Sequence, residues 1–557
     1  MTQIVSANSS QNSENKFNFN NIKQVVTKAI NSVWCLFVIS LLIVGCWAID
    51  FPFVSIGILA MYEVAVFVFC PENPKAFILP VISVSYMITS IYGVFHWVYY
   101  GICIGIFIAT IITYILLQKY KFGKTFKKGK FFWVFAYSSL GNCLGGLVGF
   151  WDWTAFLVTF VLSILVYGIY WFCLNFLKDY KKYFAYCLIF LTLIITAELL
   201  INYLRVDNIL HALQHKDVTV GTGEINGAAI FMLSGVCACF YLATEHKYDY
   251  LYILLSLFFD VAIFLTHSRM ALLITAIISV VYFFFVLRKS QNKKIILIGL
   301  SCLIAVVLLF CAVFFNKIKD VLSYYISLGF KANGRDKLLP WIWRKFTENP
   351  FFGIGFITRE PDVLSGLYPG MKDIGGFSLV NAHNFFLHFL TCTGVIGFAL
   401  NIPFYVVKYK ETFKHFNKFK LFALMNFISI FISSLFDPAP NNSLFNIIIV
   451  LVFLALIEND NDEIEVCNKE VENLEVNTNS KELKLCTCGC CEKNQNVEVE
   501  IKHQQKDKKS QEDIKRKDKK EAKNITIKDK SNTKIVKNKN SAKNTKTKSA
   551  TQKTIKN

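Results

Sequence analysis

Asn-Ala-His-Asn-Phe-Phe-Leu-His-Phe-Leu-Thr-Cys-Thr-Gly-Val-Ile-Gly, residues 381–397, starts polar and ends as the opening of an apolar run. Upstream lies the longest water-soluble interval between hydrophobic segments, 316–383, and downstream the chain stays apolar to about residue 407. This boundary places His383 between a loop and the first turn of a helix long enough to cross a bilayer, which needs ~20 mainly apolar residues. By the same criterion, spans fall near 33–49, 51–70, 76–95, 99–118, 131–150, 153–177 and 183–203. Seven more fall near 227–243, 250–266, 270–287, 295–315, 384–407, 419–436 and 444–457. Several are short and the first two can form a hairpin. The expected class is therefore all-α: a polytopic transmembrane helical bundle of about 12–14 spans.

Composition agrees. The chain of 557 residues is 54% hydrophobic and 15% aromatic, above ordinary globular usage. Its polar first residues lack the apolar core of a cleavable signal. The 17 cysteines lie largely inside apolar runs, where Cys behaves as a small hydrophobe rather than a disulfide framework.

A net charge of +20 raises the question of nucleic acid, and its distribution answers it. The tail 501–557 carries 20 Lys/Arg against 6 acids, while 458–500 carries 4 lysines against 12 acids. Much of the remainder lies in short loops between apolar runs. Lys/Arg in such loops sets membrane orientation, so no nucleic-acid partner is expected. The loops 119–130, 178–182, 288–294 and 408–420 are strongly basic and are expected to be cytoplasmic. They alternate with 204–226, 316–383 and 437–443, which then face outward, and both termini come out inside.

Three regions follow: a polar cytoplasmic segment 1–32, a membrane domain 33–457, and a cytoplasmic tail 458–557. The outward-facing loop 316–383 is too long for a simple connection. Its aromatics (Tyr324, Tyr325, Trp341, Trp343, Phe351, Phe352) point to short helices lying against the membrane. The tail is Lys/Asn/Thr/Ser-rich and too poor in apolar groups to fold. Its Cys486, Cys488, Cys490 and Cys491 lack paired Cys-x-x-Cys spacing, and no metal site is expected.

Four places carry candidate chemistry. A histidine at a helix N-terminus feels the positive end of the dipole, which favours the neutral imidazole a general base requires. His383-Asn384 fits that description, and equally fits a plain helix cap. Gly334-Arg335-Asp336, followed by Trp341 and Pro350-Phe-Phe-Gly353-Ile-Gly355, places an arginine fork beside a tight turn. That suits a phosphate or a surface Arg–Asp pair. Thr266-His267-Ser268-Arg269 stands at an outer junction between spans, where arginine either snorkels or enters a polar cavity. Asn226 opens another span and either caps it or bonds a sugar hydroxyl.

Taken in order, Ser268-Arg269, Gly334-Arg335 with Trp341, Pro350…Gly353-Ile-Gly355, and His383-Asn384 followed by Gly394-Val-Ile-Gly397 resemble the O-antigen ligase family. That superfamily also holds O-antigen polymerases and some protein O-oligosaccharyltransferases. The resemblance covers roughly 220–410. It departs at Asn381, where members often have another histidine, at Phe385-Phe386 in place of the frequent aromatic–Leu pair, and in the tail after 457.

The resemblance implies transfer of a glycan from an undecaprenyl-diphosphate carrier to a hydroxyl of the lipid A core. The reaction would run at the periplasmic face of the bacterial inner membrane. It implies His383 as catalytic base and Arg269 and Arg335 as diphosphate-binding cations. Ser268, Gly334, Asn384, Asn226 and Trp341 have supporting places. It also implies an inverting displacement with no metal and no cofactor, the arginines serving in their stead. A polymerase or a protein glycosyltransferase would use the same chemistry on another acceptor. A transporter would need paired broken spans in related halves, and no internal symmetry of that kind is visible.

Overall fold

The computed structural model describes residues 21–87, 94–146, 153–177, 180–208, 211–212, 218, 225–290, 292–313, 315, 319, 323, 335–358, 378–379, 384–436 and 444–477. His383 and Gly334 lie outside these residues. For Arg335, Trp341 and Asn226 the backbone is described and the side chain is not.

The described chain is helical apart from one two-residue β pair. In order come α1 (Asn21–Ile30), α2 (Val33–Ala48), α3 (Pro52–Phe69), α4 (Ile78–Met87), α5 (Val94–Tyr120), α6 (Phe132–Leu144), α7 (Trp153–Phe176) and α8 (Lys181–Leu204). They are followed by α9 (Ile225–Ala243), α10 (Asp249–Leu265), α11 (Arg269–Lys289), α12 (Lys293–Val313) and α13 (Arg335–Glu348). The strands β1 (Ile357–Thr358) and β2 (Ser378–Leu379) precede α14 (Phe385–Phe413), α15 (Lys418–Phe436) and α16 (Leu444–Asn477). Each apolar run of the sequence thus carries a helix.

Six described helices are each long and apolar enough to cross a membrane, or seven if α1 and α2, bent by 60°, count as one span. The expectation of 12–14 exceeds this because other apolar helices are shorter, as Gly227–Ala243 is, or run into residues outside the described set. The chain is a multi-pass membrane protein.

Burial sorts these helices. In α9 the apolar side chains on every face are buried, among them Ala228, Met232, Val236, Cys237 and Cys239, as expected of a helix at the centre of a bundle. It packs on α8, α10, α11 and α15. The peripheral α5 and α7 leave Ile106, Ile112, Leu116, Leu157, Val161 and Ile164 exposed, a surface suited to lipid tails. Where α6 meets α14 the helices touch through glycines: a Cβ on Gly141 would lie 2.8 Å from the Gly397 carbonyl oxygen. Small residues allow this approach in membranes, where close packing replaces the hydrophobic drive between helices.

The two ends of the bundle differ. At one end Lys127 and Lys130 pair with Asp462 at 2.9 and 3.0 Å. Lys181 pairs with Asp460, and Lys182 and Lys418 both reach Glu245 at 3.1 Å. Asn292 donates to the Lys247 carbonyl at 2.7 Å. The four loops expected on one side of the membrane therefore do converge on one end. At the other end Arg205 pairs with Asp50 at 2.6 Å, and the Tyr203 hydroxyl donates to the Leu265 carbonyl at 2.7 Å.

α16 runs through residue 458, where the tail is expected to start, to Asn477, with Glu458, Asp460 and Asn461 buried. These polar groups turn toward the lysines of the basic loops, which gives the helix a reason to outlast its apolar stretch. The chain divides into two units after Ile464. Of the unit beyond, Glu465 to Asn477 is described, as the last turns of that helix.

Candidate functional site

The decisive local feature is a break in α14. Gly394 has φ 64° and ψ −176° within an otherwise helical stretch. If 385–413 were straight, Phe385 and Tyr405 would stand about 30 Å apart at ~1.5 Å per residue. Their ring centroids are 5.8 Å apart. The half-helix 385–393 is therefore folded back beside 395–413, and the run expected as a single span at 384–407 is a helix broken at Gly394.

A helix broken inside a bundle leaves carbonyls without partners on one side of the break and N–H groups without partners on the other. In lipid each must be satisfied by protein. The loop Pro350–Gly355 does this. Ile354 N–H donates to the Thr391 carbonyl and Gly355 N–H to that of Cys392, both at 2.8 Å. In return Val395 N–H donates to the Pro350 carbonyl at 2.8 Å and Ile396 N–H to that of Phe351 at 3.1 Å. The two glycine motifs of the sequence are thus the two halves of one hydrogen-bonded joint. β1 follows directly and pairs antiparallel with β2, Ile357 opposite Leu379.

The joint fixes the entry to the half-helix. Asn384 is its N-cap: the side-chain oxygen accepts from Leu387 N–H at 3.0 Å and the amide nitrogen donates to the Leu435 carbonyl at 3.2 Å. The cap reading of this pair is therefore met by Asn384 itself. His388, one turn on, is buried against the Phe356 ring at 5.4 Å.

The other candidates also stand at helix starts. Ser268 is the N-cap of α11, buried, without a side-chain cap bond. Arg269 is the first residue of that helix and is exposed. His267, before it, has φ 55°. Arg335 opens α13, an amphipathic helix with Ile342 buried and Trp343 exposed, and Trp341 lies midway along it. α13 packs on α14, with Thr391 Oγ1 3.5 Å from the Ile342 carbonyl. Asn226 is the second residue of α9.

Three of these helix starts share an end. α9, α11 and α15 each have their other terminus at the basic end, given the Glu245, Asn292 and Lys418 contacts. α10 runs from Asp249, bonded to Asn292, to Leu265, which accepts from Tyr203. Asn226, Arg269 and the Leu435-bound Asn384 therefore lie at the end opposite the lysine loops. Helix N-termini carry partial positive charge and unsatisfied donors. Several of them beside an exposed arginine make that end suited to an anion.

Two features escaped the sequence reading. The joint at Gly394 was one, its signal being a pair of glycines within an apolar run. Lys408, buried in α14 among aromatic rings, was the other.

No curated protein matches the chain. Residues 251–402 match the family model described as O-Antigen ligase, a stretch that starts in α10 and ends in α14. It therefore holds the arginine at the head of α11, the joint, and the half-helix that His383 precedes. By that match residues 251–402 are similar to the O-antigen ligase family.

Proposed function

We propose that the protein is a membrane glycosyltransferase that moves a glycan from an undecaprenyl-diphosphate carrier to a hydroxyl of the lipid A core. The active site is at the periplasmic face of the inner membrane, and both chain termini are cytoplasmic. The observation that carries this reading is the half-helix 385–393, held by the Pro350–Gly355 joint inside the matched family domain. It presents a helix N-terminus, with His383 immediately before its cap, at the end of the bundle where Arg269 also stands. The lysine loops gathered at the opposite end support the orientation, since Lys/Arg-rich loops stay cytoplasmic.

The donor carries its own leaving group, so the site needs a base and cations. His383, as neutral imidazole, takes the proton of the acceptor hydroxyl. The oxygen attacks the anomeric carbon, a new glycosidic C–O bond forms, and the bond to the diphosphate breaks with inversion. The electron pair leaves on the diphosphate, whose charge Arg269 and Arg335 stabilise. Positioning and charge stabilisation carry most of the rate enhancement. The base contributes ~10²–10⁴-fold.

Purified protein given undecaprenyl-diphosphate-linked glycan and lipid A core, followed by mass spectrometry of the acceptor, tests this. His383→Ala lowers turnover by ~10²–10⁴-fold while donor binding persists. Arg269→Ala and Arg335→Ala each weaken donor binding and slow the transfer, with Lys restoring less than Arg provides because the planar fork is lost. Unmodified lipid A core in the wild-type reaction, with sugar found instead on further repeat units or on Ser/Thr of a protein, would reassign the acceptor. Full activity of His383→Ala would remove the base.

A further inference from the structure

Lys408 lies five residues before the end of α14, 5% exposed. Its ammonium is ringed by four aromatic side chains, Tyr409 at 4.7 Å, Tyr405 at 4.8 Å, Phe427 at 5.0 Å and Phe404 at 5.9 Å to the ring centroids. Among the described residues no carboxylate lies within ion-pair distance of it; nearby Glu411 instead faces Lys130 at 3.7 Å. Lys408 borders a cavity of about 120 Å³ lined by Phe389, Tyr405, Phe427, Phe431 and Val450, with Val166 of the lipid-facing α7 at its side. One wall of the cavity is Phe389 of the half-helix 385–393, but Lys408 has no part in the transfer chemistry described above.

A buried ammonium needs compensation. Electron-rich ring faces supply part of it, but they offer no anionic oxygen. An anion reaching Lys408 from the bilayer would complete the site, and the carbon-lined wall selects what that anion must be attached to. We propose that this cavity binds an anionic glycerophospholipid. The phosphate sits on Lys408, the glycerol carbons rest against Phe389, Phe427 and Phe431, and the acyl chains remain in the bilayer beside α7. The volume is too small for a whole chain. Lys408 stands only about 8 Å, at ~1.5 Å per residue, from the end of its helix at the lysine loops, so the lipid enters from the leaflet on that side. On the reading proposed above, the carrier diphosphate meets Arg269 at the start of α11, whose other terminus is at those loops.

Native mass spectrometry of the full-length protein, exchanged from phosphatidylglycerol or phosphatidylcholine of matched chains, tests the site. Wild type retains one phosphatidylglycerol at roughly tenfold or greater preference, as expected of a charge-assisted contact away from water. Lys408→Met loses that preference and Lys408→Arg keeps it. Ile430 also lines the cavity, and Ile430→Trp, which fills it with the charge intact, loses the preference too, so the result does not depend on one variant folding. Equal retention of the two lipids by wild type, or unchanged preference in both Lys408→Met and Ile430→Trp, would overturn the proposal. So would tighter retention of undecaprenyl phosphate than of phosphatidylglycerol, which would give the cavity to the carrier lipid.

Discussion

Gly394 combines a left-handed backbone with crowding: a Cβ there would lie 2.3 Å from the Phe351 carbonyl carbon and oxygen. Both effects oppose any side chain, since a non-glycine residue at that φ is strained and backbone cannot step aside cheaply. Gly394→Ala should therefore cost about 1–3 kcal/mol, read as a lower midpoint in thermal unfolding of the detergent-solubilised protein. Gly105 in α5 is the control. It is helical with nothing within 4 Å of its Cβ direction, so Gly105→Ala should be neutral or stabilise by up to ~1 kcal/mol. Equal effects of the two substitutions would mean that α14 is not broken at residue 394. Sequence alone places glycines at 394 and 397 but cannot distinguish them. Gly394 supplies a dihedral angle, whereas Gly397 supplies room for α6.

At the scale of elements, apolar length located the helices and missed the direction of one of them. Thr391-Cys-Thr-Gly-Val-Ile-Gly397 keeps an apolar character through the break, so no change of hydropathy marks the reversal. What reverses the chain is a set of four hydrogen bonds to a loop about 40 residues upstream in the sequence, and a contact of that range has no local signature. The motif Pro350…Gly353-Ile-Gly355 was legible as a family feature, its partner was not. The fold-back has a direct consequence. In a background without other cysteines, Phe385→Cys and Tyr405→Cys should be joined within one chain by a short bismaleimide, giving a mass increment without a dimer. Phe385→Cys with Phe413→Cys, farther along the same half, should not be joined. A straight α14 would leave both pairs unlinked.

The described bundle is polarised, with the starts of α9, α11 and α14 at one end and an ionic closure at the other. Loop charges in the sequence foretold which loops share an end. They did not foretell that α16 would carry its own acids into that cluster, because a stretch rich in Asp, Glu and Asn reads as solvated tail until lysines from distant loops are placed beside it. Burial by itself raises the Asp460 carboxyl, but Lys181, Asn417 and Lys420 outweigh it and hold the group below its usual value. Asp462 is shifted the same way, its burial outweighed by Lys127 and Lys130. A carboxylate whose folded pKa is depressed stabilises the fold above its unfolded pKa, and that contribution disappears as pH falls through the folded value. Unfolding midpoints should therefore hold from neutral pH down to the ordinary carboxylate range and drop below it, with Asp460→Asn flattening that drop. At neutral pH the same substitution leaves Lys420, whose side chain is fully enclosed (0%), without its carboxylate. Breaking one side of a buried pair costs about 3 kcal/mol, softened here because Lys420 also donates to the Lys414 and His415 carbonyls. If the closure works as a pair, Asp460→Leu with Lys420→Met should recover most of what Asp460→Asn loses, since two matched apolar groups bury no orphan charge. A double variant no more stable than the single would instead place the worth of Lys420 in its carbonyl contacts.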